Sequence, residues 1–500
     1  MARQFMNQIF NYLSTNSDLL IGNKSSNIYS ISQKKFDYLR EKFNPEFAPK
    51  IFISESKPTD FITSFVAAVA TGFQVFLCNP NWGKQEWKQV LELAQPDIIF
   101  GDTPDENFLG ADIYKNDVSH QNSISIKQIH TNNNTKEIFP ENLIMVSTGG
   151  SSGKVKFTIH TWETLIASVE GFQKYFQVQQ INSFCVLPLY HVSGLMQFMR
   201  SFTTGGNLVI LPSYKEIFDK KEWNINPNKF FISLVPTQLQ KLIQNSETAK
   251  WLSNFQTVLL GGAPAWQELF DVARKYQIKL APTYGMTETA AQVATLKPAD
   301  FLTGNNSNGQ ILPHAEIMIK SENGEILGKN KKGIINIKAH SLALGYYPNL
   351  FNSSETFVTD DLGFLDNQGC LNIVGRRSQK IITGGENVFP AEVEAAILAT
   401  GLVTDVCVIG LPDKYWGEIV TAVYVADDLE VSVEKFMTAI DGKLSKFKQP
   451  KSWVKVENLP RNSQGKINRE LLNKIAIQKE EGRRKKEEGT RKKKEGRRRL

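Results

Sequence analysis

Between about residues 50 and 290 one pattern recurs: a short apolar run, a loop of Gly, Ser or Pro, then a segment with helical spacing. Asn142–Val146, Ser183–Leu187, Phe230–Val235 and Thr257–Leu260 are such runs. The alternation predicts parallel strands covered by helices. It also places any chemistry in the loops at the carboxyl ends of those strands. From about Gly309 the texture changes to shorter strands with Gly-rich turns, Ile334–Lys338 and Leu371–Val374, which predicts a small β subdomain. After Gly375-Arg376-Arg377 a fresh pattern starts near Ser378: a helix Ala391–Ala399 opened by Pro390, then strands Val406–Ile409 and Thr421–Val425. The expected architecture is therefore α/β. A large N-terminal domain, residues 1–376, holds the parallel sheets and the β subdomain; a smaller, mobile α+β C-terminal domain spans 377–477; a basic tail, 478–500, is disordered or a frayed helix.

Composition narrows the function classes. With 41 % hydrophobic and 22 % charged residues the chain is neither fibrous nor disordered. Its net charge of +7 is local, since Lys479 to Leu500 holds 12 Lys and Arg against 5 Glu while the preceding residues hold 46 of each sign. The body is neutral and no nucleic acid is expected as its partner. In the tail Glu481-Gly482, Glu488-Gly489 and Glu495-Gly496 recur every seven residues without an apolar seam, which argues against a coiled coil. Cys78, Cys185, Cys370 and Cys407 are scattered, with no metal or disulfide spacing, and no window suits a membrane span. A cytoplasmic location and small-molecule substrates are expected, zinc is not, and a homo-oligomer is left open.

The strongest local signal is Asn142–Phe157, an apolar strand running into Thr148-Gly149-Gly150-Ser151-Ser152-Gly153 and closing on Lys154 and Lys156. Small residues let several backbone N–H groups turn toward one anion, hydroxyls add donors and lysine adds charge, so the segment reads as a phosphate cradle. A Walker A loop is excluded because Thr148 stands where its first Gly belongs and Val155 follows Lys154. Gly149, Ser151 and Gly153 also satisfy G-x-S-x-G, which makes a hydrolase with Ser151 as nucleophile a rival of another class. That rival lacks a late histidine, because only His314 and His340 follow Tyr284. A flexible Ser/Gly turn is the third reading.

Residues 148–157 resemble the phosphate-loop signature of the acyl-adenylate-forming superfamily, the acyl-CoA ligases, luciferases and peptide-synthetase adenylation domains. Further resemblances follow in the family's order: Gly261-Gly262-Ala263-Pro264, Tyr284-Gly285-Met286-Thr287-Glu288-Thr289, Thr359-Asp360-Asp361-Leu362-Gly363, Gly375-Arg376-Arg377 with 384–394, and Pro460 to Lys466. Within the superfamily, residues 187–200 and 233–242 are similar to the 2-succinylbenzoate–CoA ligases of menaquinone and phylloquinone synthesis. A CoA ligase for another aryl or acyl acid is the nearest alternative.

The resemblance implies an acid–thiol ligase working through an acyl-adenylate, with ATP, Mg²⁺ and CoA. It assigns Thr148, Gly149, Gly150, Ser151, Ser152, Gly153 and Lys156 to the β- and γ-phosphates, Glu288 to Mg²⁺ and Thr287 to the α-phosphate. Tyr284 with the backbone at Gly262 and Ala263 would flank the adenine, Gly285 and Met286 would belong to the same ATP site, and Asp361 with Arg376 would hold the ribose. Lys466 would neutralise the reacting oxygens, His191 and Arg200 would hold the acid, and Gly384 and Gly385 would line the CoA channel. Val155 replaces the family's Pro, Phe157 its last loop Gly, and Ser378 the usual Asp or Lys of the hinge. Glu392 and Glu394 read as helix N-terminal charge rather than an acid/base pair.

Overall fold

A computed structural model describes residues 2–15, 19–21, 28–44, 48–103, 112–114, 142–149, 154–218, 225–351, 356–426, 432–461 and 467–482. Two eight-stranded sheets dominate. In one, Lys50–Ser54 lies between Gln74–Leu77 and Ile98–Gly101, all parallel, and Leu143–Gly149 continues beyond Gln74–Leu77. In the other, Leu208–Ile210, Asn182–Cys185, Phe230–Leu234, Thr257–Leu260 and Leu280–Met286 run parallel, followed by antiparallel Ala291–Thr295. Strands such as Gln74–Leu77 and Thr257–Leu260 are buried at every residue, which is why, after one polar residue each, their sequences run apolar rather than alternating.

Helices Pro58–Thr71, Trp162–Phe176 and Val192–Thr204 fill the space between the sheets. One apolar cluster joins Ile51 and Val75 of the first sheet to Phe231 and Leu259 of the second through Phe65, Phe198 and Phe202. Pro58–Thr71 starts with proline in its first turn and stops at Gly72, whose φ of +83° lets its N–H reach the Val69 carbonyl.

Ala315–Lys320, Gly333–Ala339, Phe357–Leu365 and Leu371–Arg376 form the expected antiparallel subdomain. A separate C-terminal sheet begins at Ile381 and has its own core, in which Phe436 and Trp453 stack at 4.6 Å. Its helix Pro390–Leu398 carries Glu392 and Glu394, and here the expectation of simple N-terminal charge fails for Glu394. That carboxylate is turned inward: its Oε1 accepts from the Val408 N–H at 2.8 Å and lies 3.5 Å from Arg469, and desolvation raises its pKa. The last helix, 469–482, runs past the expected start of the tail; Ser452 donates to buried Glu480 at 2.5 Å, tying that end to the sheet. Residues 483–500, with most of the seven-residue repeat, lie outside the described residues. Among the described residues no helix is long and apolar enough to cross a membrane.

Phe157 explains one departure from the family's loop pattern. Its ring is fully buried and meets Phe76 at 5.2 Å and Trp82 at 6.2 Å, so it serves as core where the family has glycine. Phe157→Ala is expected to cost about 3–5 kcal/mol, read as an earlier first transition in urea unfolding followed by tryptophan fluorescence.

Candidate active site

Leu143–Gly149 and Val155–Thr161 form an antiparallel hairpin in unbroken register from Leu143↔Thr161 to Gly149↔Val155. The hairpin carries the phosphate-type loop at its tip; Gly150, Ser151, Ser152 and Gly153 themselves lie outside the described residues. Val155, in place of proline, keeps an N–H that donates to Gln89 Oε1 at 3.1 Å. Thr148 is buried and cross-strand from exposed Lys156. The Lys156 ammonium stands 5.3 Å from the ring of Tyr346, whose hydroxyl donates to Glu288 Oε1 at 2.6 Å. The candidate phosphate lysine and the candidate metal carboxylate are thus brought to one aromatic ring.

Glu288 sits in a turn, Thr287–Thr289, between Leu280–Met286 and Ala291–Thr295. The two strands slip register at Tyr284/Gly285, and a Cβ on Gly285 would lie 2.0 Å from the Ala291 carbonyl, so only glycine fits. The chain leaves the turn through Ala290 and Ala291 at φ +48° and +86°, a left-handed pair that alanine adopts only under constraint. The constraint is a run of satisfied carbonyls. Thr287 O accepts from His160 Nε2 at 2.8 Å, Glu288 O from Ala343 N at 2.8 Å, Thr289 O from Ser341 Oγ at 2.9 Å and Ala290 O from Ser168 Oγ at 2.6 Å.

Asp361 is held from two sides: Tyr284 donates to Oδ2 at 2.8 Å and Arg376 Nε to Oδ1 at 3.2 Å. Tyr284 is raised in pKa by burial and by that carboxylate, so it is a donor throughout the working pH range. Gly262 and Ala263 are exposed just beyond Thr257–Leu260, Gly262 at φ +82°. Met286, half-buried, precedes the turn, its N–H donating to Thr289 Oγ1 at 3.0 Å.

His191 caps the start of helix Val192–Thr204, half-buried and edge-on to Tyr190 at 4.6 Å. Arg200, two turns on, is only 3 % exposed. Its Nη2 donates to Gln292 Oε1 at 2.7 Å and its guanidinium carbon stands 4.2 Å from the Phe172 ring centroid, with no carboxylate partner among the described residues. Burial pulls its pKa down to about 9, which still leaves it a cation at neutral pH.

Gly384 and Gly385 occupy a two-residue turn, φ +58° and +85°, joining Ile381–Thr383 to Glu386–Val388; they are exposed, and Gly384 abuts Trp416. At the junction Ser378 hydrogen-bonds Asp360 through its N–H and its hydroxyl. Lys466 lies outside the described residues, between Arg461 and Ile467, which form an isolated bridge.

His160, Tyr346, Gln292 and His314 belong to this region and sequence reasoning missed them. Each is a single polar or aromatic residue without a motif, and its partner is remote in the chain; His160, only three residues beyond the loop signature, was the most accessible.

Residues 48–347 match the AMP-binding enzyme family and residues 392–466 the C-terminal domain of AMP-binding enzymes. The chain is 35 % identical over 338 residues to the 2-succinylbenzoate–CoA ligase of Listeria monocytogenes serovar 1/2a, covering 65 % of this chain and 68 % of that protein. It shares its fold with o-succinylbenzoate CoA synthetase (MenE) from Bacillus subtilis. The complex of that protein with the acyl-adenylate intermediate OSB-AMP superposes at TM-score 0.80 and 24 % identity, over 93 % of this chain and 97 % of that one. The same protein in complex with ATP and magnesium ion superposes at TM-score 0.79 and 24 % identity, over 93 % and 98 %. The chain belongs to the AMP-binding enzyme family and, within it, to the family of the 2-succinylbenzoate–CoA ligases. This membership removes the hydrolase alternative.

His160 is fully buried, and desolvation lowers its pKa from 6.5 to about 4. The unfolded chain binds that proton below pH 6.5 while the folded chain refuses it until about 4, so the stabilisation is complete above 6.5 and is lost as pH falls to 4. Melting temperature is expected to drop across that window, and His160→Gln, which cannot titrate, should show a shallower drop in the same scans.

Proposed function

We propose that the protein is an ATP-dependent 2-succinylbenzoate–CoA ligase of menaquinone or phylloquinone biosynthesis. It converts the acid and CoA to 2-succinylbenzoyl-CoA, AMP and pyrophosphate through an acyl-adenylate. The observation that carries the choice of acid is Arg200, a buried cation with no carboxylate against it among the described residues. An acid that retains a second carboxylate supplies the counter-charge, whereas a fatty acyl chain would leave a desolvated guanidinium unpaired.

The chain's residues divide the work as follows. Thr148, Gly149, Gly150, Ser151, Ser152, Gly153 and Lys156 hold the β- and γ-phosphates, and Thr287 donates to the α-phosphate. Tyr284 and the backbone at Gly262 and Ala263 flank the adenine, with Gly285 and Met286 in the same ATP site. Asp361 accepts from the ribose hydroxyls while Arg376 and Tyr284 fix its orientation. His191 and Arg200 position the acid so that its free carboxylate meets the α-phosphorus, a task of orientation and charge. Domain 377–477 then turns against 1–376 about Ser378, and Gly384 and Gly385 line the passage for CoA.

Glu288 fits Mg²⁺ on the chemistry of its surroundings. It is a single carboxylate tied through the Tyr346 ring to Lys156 of the phosphate-type hairpin, and magnesium bound with a nucleotide takes one or two carboxylates, its remaining positions going to phosphate oxygens and water. Glu288 would hold the ion, which supplies charge neutralisation at the phosphates. The cytoplasm, where ATP and CoA are held, suits this reaction and the free buried thiols of Cys78, Cys185, Cys370 and Cys407.

Incubation of the purified protein with ATP, Mg²⁺, CoA and 2-succinylbenzoate, with benzoate and a fatty acid in parallel, tests the proposal by mass spectrometry. A CoA thioester and AMP are expected only with 2-succinylbenzoate. AMP with a different acid overturns the substrate, and no AMP with any acid overturns the ligase. Lys466 supplies one donor to the oxygens that gain charge, worth about 3–4 kcal/mol of barrier. Lys466→Ala should therefore slow pyrophosphate release by roughly two to three orders of magnitude in a single-turnover assay.

A further inference from the structure

Beside Arg200 the core holds an unusual concentration of unspent hydrogen-bonding capacity. Arg200 Nε, Gln292 Nε2 and both ring nitrogens of His314 are buried without a partner among the described residues. The side chains belong to residues only 3 %, 7 % and 7 % exposed. Unpaired buried polar atoms each carry a desolvation cost, so a cluster of them in one place calls for a ligand rather than an accident of packing.

The three side chains converge from separate elements. Arg200, on helix Val192–Thr204, donates to Gln292 of strand Ala291–Thr295 and lies over Phe172. His314 follows strand Gln310–Ile311 and rests on Gly171, the residue before Phe172; a Cβ there would fall 1.8 Å from His314 Nδ1. Burial and the charge of Arg200 hold the imidazole neutral, with a pKa near 4, so it offers one N–H beside the guanidinium without adding a second positive charge. The unspent donors are thus a guanidinium N–H, an amide NH₂ and an imidazole N–H. A carboxylate, with two oxygens and about four acceptor sites, matches such a set.

We propose that His314 is a specificity-determining residue, donating with Arg200 and Gln292 to the carboxylate that the acid retains, and that Gly171 is glycine in order to seat it. The proposal rests on the reading of this site as that of a 2-succinylbenzoate ligase. The succinyl carboxylate ends a flexible chain and is the one that can reach the α-phosphorus. The ring carboxylate, fixed beside the ketone, is therefore the one retained.

The test compares kcat/KM for 2-succinylbenzoate and for 4-oxo-4-phenylbutanoate, which has hydrogen in place of the ring carboxylate, in the wild type, His314→Leu, His314→Gln and Gly171→Ala. A hydrogen bond to a charged group is worth enough that His314→Leu should lower the ratio of the two values about 10- to 100-fold. The loss should appear in KM for the dicarboxylate, with KM for ATP unchanged. His314→Gln, which keeps an N–H donor, should restore most of the ratio. Gly171→Ala, which displaces the ring while leaving every donor in the chain, should lower it. Equal losses on both acids, or an unchanged ratio in His314→Leu and Gly171→Ala, overturn the proposal while leaving the ligase assignment intact. A wild-type enzyme that forms a thioester with neither acid overturns the assignment and this proposal with it.

Discussion

The turn Thr287–Ala290 is the constraint on which the arrangement of the site depends. It leaves its strand through two alanines in left-handed conformation, which costs free energy and persists only because its carbonyls are claimed from outside. The claims come from His160 of the first sheet, Ser168 of a helix between the sheets, and Ser341 and Ala343 of the segment that leaves the β subdomain. A single backbone feature therefore locks three parts of the N-terminal domain to one another. Freeing any of those buried carbonyls would expose about 1–3 kcal/mol of unmet hydrogen bonding. The same turn presents Thr287 and Glu288, so a constrained stretch of backbone is also where the nucleotide chemistry is proposed to occur.

What the sequence made legible was local. The strand and loop of 142–157 could be placed because the apolar run, the small residues and the lysines are contiguous, whereas the same pattern, which implies parallel strands, does not reveal that Val155–Thr161 returns antiparallel to Leu143–Gly149. Asp361 and Arg376 were legible as separate motifs, although nothing in the chain announces that Tyr284 would complete the set from 77 residues upstream. His160, Tyr346, Gln292 and His314 escaped notice because each acquires meaning from a neighbour brought close only by folding. Glu394 was misread for a related reason. Its position near a helix start suggested a solvated charge, but strand Asp405–Asp413 packs against that helix and supplies a backbone N–H that the carboxylate accepts.

Departures from the family pattern turn out to be compensated residue by residue. Val155 keeps an N–H that proline would lack, and Gln89 accepts from it. Phe157 adds a ring that loop glycine would not, and Phe76 and Trp82 pack against it. In both cases the substitution stiffens the stem of the phosphate-type hairpin through contacts outside the loop itself.

Ser378 follows the same logic at the domain junction. Where the family pattern has Asp or Lys, this chain has a short hydroxyl, and a carboxylate is supplied by Asp360. Asp360 and Asp361 are consecutive on strand Phe357–Leu365, so their side chains project to opposite faces. Asp361 turns inward to Tyr284 and Arg376, while Asp360 turns outward to Ser378. Arg376 ends the neighbouring strand Leu371–Arg376 and meets Asp361, whereas Ser378, in the short turn Arg377–Gln379 that follows, meets Asp360. Any shift of register between these strands would break the Asp361–Arg376 pair and the Asp360–Ser378 contact together. The proposed ribose carboxylate and the contact at the proposed domain junction are thus coupled through the pleat of one strand.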